Sequence, residues 1–182
     1  MKIPRLTKKQ KMMWKTTQFL IRLTLFSTPL YVILWLNPSM TPVQNVVADH
    51  AAWLLNLLGF EVMRDNLILG VGTENPFLFY IGPDCIGWKS MLCFIALIFA
   101  TLDARMKKRI MGIVIGIPII YLGNLFRIMI VVLIERNFGL EAAMVFHDWL
   151  WQAGLITLVI MLWLIWLKFD YVKSSAFSFL KK

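Results

Sequence analysis

Four long apolar runs, separated by short blocks of lysine and arginine, decide what this chain can fold into. They lie approximately at Thr17–Leu36, Ile86–Leu102, Ile110–Ile134 and Trp149–Leu167, each close to the roughly 20 residues that carry a helix across a bilayer. A soluble domain averages about 45–50% apolar and about 25% charged residues. Here 59% are hydrophobic and 16% charged, with a mean hydropathy of +0.72. A water-soluble globule is therefore excluded, and 13 Phe, 8 Trp and 11 Met exclude disorder. The first run has no small-residue cleavage site and is too long for an ordinary signal-peptide core, so it reads as an uncleaved helix.

The net charge of +9 is distributed as topology, not as a nucleic-acid surface. Lys2, Arg5, Lys8, Lys9, Lys11 and Lys15 precede the first run. Arg105, Lys107, Lys108 and Arg109 separate the second from the third, and Lys168, Lys173, Lys181 and Lys182 follow the fourth. Only Asp103 and Asp170 oppose them on that side. Asp49, Glu61, Asp65, Glu74, Asp84, Glu135, Glu141 and Asp148 fall on the other, with Arg64 and Arg136. The expectation is an all-α polytopic membrane protein of four spans with both termini cytoplasmic. Residues 1–16 form a basic cytoplasmic N-terminus, 17–167 one membrane-embedded domain with an outer cap over 37–84, and 168–182 a basic cytoplasmic tail.

The outer segment carries its own pattern. Thr41-Pro42 reads as an N-cap with proline at the first helical position, and Val43, Val47, Leu54, Leu57 and Leu58 recur at helical spacing up to Gly59. Asn45, Asp49, His50 and Asn56 interrupt it, which favours an interfacial helix, with a fifth span as the alternative. Phe60–Arg64 and Leu67–Val71 flank Asp65-Asn66 as a hairpin, to which Phe77–Ile81 adds a third strand.

Three basic residues lie within the apolar runs. Arg22 sits near the inner end of the first and snorkels to the headgroups. Lys89 and Arg127 lie toward the outer half. An arginine at that depth is costly and marks a polar cavity by default; Asn124, three residues earlier, shares its helical face. Cys85 opens the second run. Were the helix to start near Asp84, its dipole would favour the thiolate, with Lys89 one turn on adding positive charge. Along one helix, Cys85 and Cys93 would stand about 12 Å apart, so they read as separate thiols beyond disulfide reach. His147 precedes the fourth run; its neighbour Asp148 diverges from it on a helix and is a weak partner. No cofactor, and no Cys/His cluster with metal-ligand spacing, is read from the sequence. A cysteine, an arginine and a histidine on three helices at one depth suit acyl transfer: nucleophile, oxyanion stabiliser, and general acid/base.

At these residues the chain resembles the exosortase/archaeosortase family of prokaryotic membrane transpeptidases. Cys85-Ile86-Gly87-Trp88-Lys89-Ser90, Asn124-Leu125-Phe126-Arg127-Ile128, and His147 with Gly154 carry the likeness, preceded by Trp53-Leu54-Leu55-Asn56-Leu57-Leu58-Gly59-Phe60. It implies a plasma-membrane enzyme with its active site facing outside, in which Cys85 is the nucleophile, Arg127 the transition-state residue and His147 the acid/base. Asn124 and Lys89 support them. The implied partners are exported proteins bearing a C-terminal motif, a transmembrane helix and a basic cluster, which are cleaved and transferred to an acceptor, often a lipid. The competing reading is a non-enzymatic membrane subunit or small transporter with Arg127 and Asn124 lining a polar path. Under that reading Cys85 is dispensable.

Overall fold

The computed structural model describes residues 7–73, 76–149 and 153–179, with side chains as far as residue 168. Lys2, Arg5, Glu74, Lys181, Lys182 and residues 150–152 of the fourth run lie outside the described residues, as do the side chains of Asp170 and Lys173. The chain is mostly helical, in the order α1 (Lys8–Leu36), α2 (Thr41–Leu57), β1 (Val62–Asp65), β2 (Ile68–Val71), β3 (Phe77–Tyr80), a 3-10 turn (Pro83–Ile86), α3 (Trp88–Ala100), α4 (Met106–Phe138), α5 (Leu140–Trp149) and α6 (Leu155–Phe179). Among these, α1 and α4 are long and apolar enough to cross a membrane; α3 and the Leu155–Lys168 part of α6 are shorter apolar helices.

Several boundaries differ from the apolar runs for identifiable reasons. Helix α1 starts at Lys8, ahead of the hydrophobic stretch, because Thr7 and Gln10 form a capping box. Helix α3 starts at Trp88, not Ile86, because Gly87 adopts φ +78° and breaks the chain from the 3-10 turn. The fourth run is split: Trp149 closes the separate helix α5, and a π-type turn at Ala153-Gly154 leads into α6. Helix α2 begins at Thr41 with Met40 as its cap and without a side-chain cap bond, one residue from the expected position.

Helices α3, α4 and α6 pack as a bundle around Phe94, Ile98, Ile120, Val159 and Trp166, and α1 lies against α3. Gly116 on α4 leaves the room that the Phe94 ring fills. Lys15 of α1 pairs with Asp103 in the α3–α4 loop at 3.2 Å, so the start of α1 and that basic loop share one end of the bundle.

The opposite end carries a second core of Val47, Ala48, Ala51, Leu69, Ile81, Ile86, Leu125 and Ile128, drawn from α2, the sheet, the 3-10 turn and α4. The three strands form one antiparallel sheet in the order β1-β2-β3, the third strand completing the expected hairpin. The buried stripe of α2 is Gln44, Val47, Ala48, Ala51 and Leu55. Expected stripe residues Val43, Leu57 and Leu58 are instead exposed. Gln44 turns inward because its amide donates to the Ile81 carbonyl (2.7 Å), which satisfies two polar groups at once. Arg64 bonds Asp49 and Asn45 and ties the sheet to α2.

Candidate functional site

The 3-10 turn holds Cys85 rigidly from both sides. Its N–H donates to the Gly82 carbonyl at 2.9 Å, and its carbonyl accepts from Asn124 Nδ2 of α4 at 2.5 Å. Asn124 is fully buried. A Cβ at Gly87 would come within 3.2 Å of Asn124 Cγ, so the glycine serves both the left-handed backbone and the amide beneath it. Asn124 thus acts on the cysteine backbone, a more specific role than sharing a polar face with Arg127. The helix-dipole expectation for the thiol is corrected: Cys85 lies in the turn before α3, across the Gly87 break.

Arg127, one turn after Asn124, is 96% buried by its relative exposure of 4%. Its Nε and Nη1 have no hydrogen-bond partner among the described residues. His147 enters from α5, near the end of that helix. Asp148 does reach it: Asp148 Oδ1 lies 3.2 Å from His147 Nδ1, contrary to the expectation that neighbouring helical side chains diverge. The other histidine, His50, meets the Tyr121 hydroxyl at 2.6 Å instead. Cys85, Arg127 and His147 line one pocket of about 310 Å³, together with all of β3 and apolar residues of α4 and α5.

Burial alone would push the Cys85 thiol up. The His147 hydrogen bond, the Arg127 charge and a backbone hydrogen bond at Gly82 outweigh it, so the thiol ionises below its ordinary range. His147 moves the other way: its hydrogen bond to Cys85 leads, and Asp148 adds to it against the opposing burial. Both shifts favour a thiolate beside an imidazolium. Lys89 pairs with Asp84 at 2.6 Å, on the turn's outer side. Cys93 sits separately on α3 as a free thiol.

A family model of transmembrane exosortases matches residues 8–167. The chain belongs to the transmembrane exosortase family. Neither the curated proteins nor the solved structures gave a match. As an exosortase the chain is a membrane protein of a transpeptidase family, and the matched region contains every residue of the pocket. Sequence reasoning passed over two contributors to this site. Asp148 is hidden because neighbouring helical side chains ordinarily diverge, and β3 carries no chemical signal beyond its position just before the cysteine turn.

Proposed function

We propose that this exosortase is a cysteine transpeptidase acting at the outer face of a prokaryotic plasma membrane. It crosses four times with both termini cytoplasmic, cuts C-terminal sorting tails of exported proteins, and transfers them to an acceptor. The reading rests above all on Arg127. A buried guanidinium that already faces the Cys85 thiolate still has two nitrogens without a partner among the described residues, which leaves donors for a second anion in the same pocket. A tetrahedral oxyanion supplies that anion only during reaction.

In this mechanism the Cys85 thiolate attacks the scissile carbonyl carbon. A C–S bond forms, and the carbonyl electron pair moves to oxygen opposite Arg127. His147, with Nδ1 turned to Asp148, donates its proton to the leaving nitrogen as the C–N bond breaks, leaving a thioester. The acceptor's hydroxyl or amine then attacks the thioester. His147 takes its proton, and Cys85 departs as thiolate.

Coexpression with an exported reporter ending in a motif, an apolar helix and a basic cluster tests this directly. The expected result is a shortened reporter with the parent enzyme and a full-length one with Cys85→Ala. Cleavage that continues in Cys85→Ala overturns the assignment. Were Arg127 still required in that case, the polar-path reading would stand in its place.

A further inference from the structure

Strand β3 is the edge of its sheet, and its five-residue run Phe77–Ile81 lines the pocket without a gap. A strand that showed the pocket a face would contribute alternate residues; consecutive ones mean that its edge looks in. The ladder phase gives the same answer. Ile81 N–H donates to the Leu67 carbonyl at 2.8 Å, which makes Tyr80 opposite Ile68 a non-hydrogen-bonded pair. Along β3, Phe77 and Phe79 therefore turn their backbone groups toward β2. Leu78 and Tyr80 turn theirs toward the free edge. The Tyr80 carbonyl is taken by Gly82 N–H at 3.0 Å, which leaves Leu78 N–H, Leu78 C=O and Tyr80 N–H facing outward.

An open strand edge is a template for an extended chain. This one runs through Ile81 and Gly82 straight into the turn that carries Cys85. Building on the transpeptidase reading, we infer that the edge of β3 is the substrate-positioning element: the extended polypeptide just before or after the scissile bond adds to the sheet as a fourth strand. It pairs with Leu78 and Tyr80, and the next peptide carbonyl reaches Cys85 and Arg127. Backbone pairing supplies affinity and register. The apolar walls from Ile128, Val131, Leu140 and Met144 select uncharged side chains on the inward face of that strand. The occupant is thus a substrate segment able to be extended, low in charge, and without proline where it meets Leu78.

Leu78→Pro tests this, because it deletes an outward N–H while sparing the bonds to β2. Each lost edge hydrogen bond is worth about two- to tenfold at its usual net strength, and the ring also keeps the partner strand away. The expectation is a loss of tenfold or more in kcat/KM on the tail-bearing reporter, mostly in KM. Leu78→Val, which keeps the N–H, loses less than about threefold. Maleimide labelling of Cys85 at the parent rate confirms that Leu78→Pro is folded. A second measurement does not depend on that variant. In Cys85→Ala, Leu78→p-benzoylphenylalanine is expected to photocrosslink to the reporter's tail, whereas Met63→p-benzoylphenylalanine, exposed on the far strand β1, is not. Parent-like kinetics in Leu78→Pro, or equal crosslinking from both positions, overturns the strand-addition mode while tail cleavage stands. A crosslink at position 78 in a chain that leaves the tail uncut retains the strand and rejects the reaction.

Discussion

Gly87→Ala probes the link that holds the site together, and Gly59→Ala is its internal control. Both glycines adopt a left-handed backbone, φ +78° and +84°. Around Gly59 a Cβ would meet nothing within 4 Å, whereas at Gly87 it would lie 3.2 Å and 3.3 Å from two carbons of Asn124. The left-handed backbone alone costs alanine about 1 kcal/mol. At Gly87 the fully buried Asn124 must also withdraw from the Cys85 carbonyl. A buried acceptor left without its donor adds about 2 kcal/mol. At roughly 3 °C per kcal/mol for a chain of this size, Gly59→Ala should lower Tm by about 3 °C and Gly87→Ala by about 9 °C. The assay is thermal unfolding of the detergent-solubilised protein, run beside Cys85 labelling by a thiol-reactive maleimide in a Cys93→Ser background. Labelling should change in Gly87→Ala, as the turn shifts, and stay at the parent rate in Gly59→Ala. Equal Tm losses with unchanged labelling in both would refute the claim that Asn124 and Gly87 jointly set the thiol's position.

Other expectations follow from the site's charges. Arg127 and His147 both hold the Cys85 pKa down, so Arg127→Gln or His147→Ala should move the midpoint of its alkylation-rate profile to higher pH; an unchanged or lower midpoint contradicts the coupling. Arg127→Gln should also reduce tail cleavage by about 10²–10³, as loss of an oxyanion donor does, measured as a single-turnover rate with enzyme in excess over the reporter. Asp148→Asn removes a group that raises the His147 pKa. The alkaline limb, on which His147 loses the proton that it gives to the leaving nitrogen, should therefore move to lower pH, read from the pH dependence of cleavage. Lys89→Gln should change cleavage by less than about fivefold, since an exposed pair such as Lys89–Asp84 is worth about 0–1 kcal/mol.

What the sequence revealed and what it hid divide along a physical line. Helix-forming apolar runs and strand alternation are local signals, so the main helices and all three strands of the cap were visible in it. Arg127 and Cys85 stood out because a charge or a thiol in an apolar run is rare. The Gly87 break was not visible, since glycine before Trp88 reads equally well as a helix start. The inward turn of Gln44 was hidden too, because its partner is the Ile81 carbonyl, 37 residues away. Likewise the link from Asn124 to the Cys85 backbone spans 39 residues, and no periodicity encodes it. The Asp148 contact with His147 departs from ideal-helix divergence; His147 is the third residue from the end of α5, in its last turn.

The proportions of the helices bear on why such chemistry sits where it does. Helix α3 has 13 residues and rises about 20 Å, and α4 has 33 and rises about 50 Å. On the proposed four-span reading, against a hydrocarbon core of about 30 Å, α3 is too short to lift the Cys85 turn clear, while α4 continues to the cap. Arg127 lies 21 residues into α4, about 32 Å along it, and from there Val132 packs with Leu55 and Val71 beneath the sheet. On the proposed reading, thiol, guanidinium and imidazole therefore meet at the seam between lipid and water. A substrate can keep its apolar helix in the bilayer while its extended segment lies along β3. Low dielectric at that seam strengthens the hold of Arg127 on an oxyanion. On the same reading, an extended segment laid along β3 would itself help cover the apolar pocket, so an acceptor presented from the membrane surface would compete with hydrolysis of the thioester.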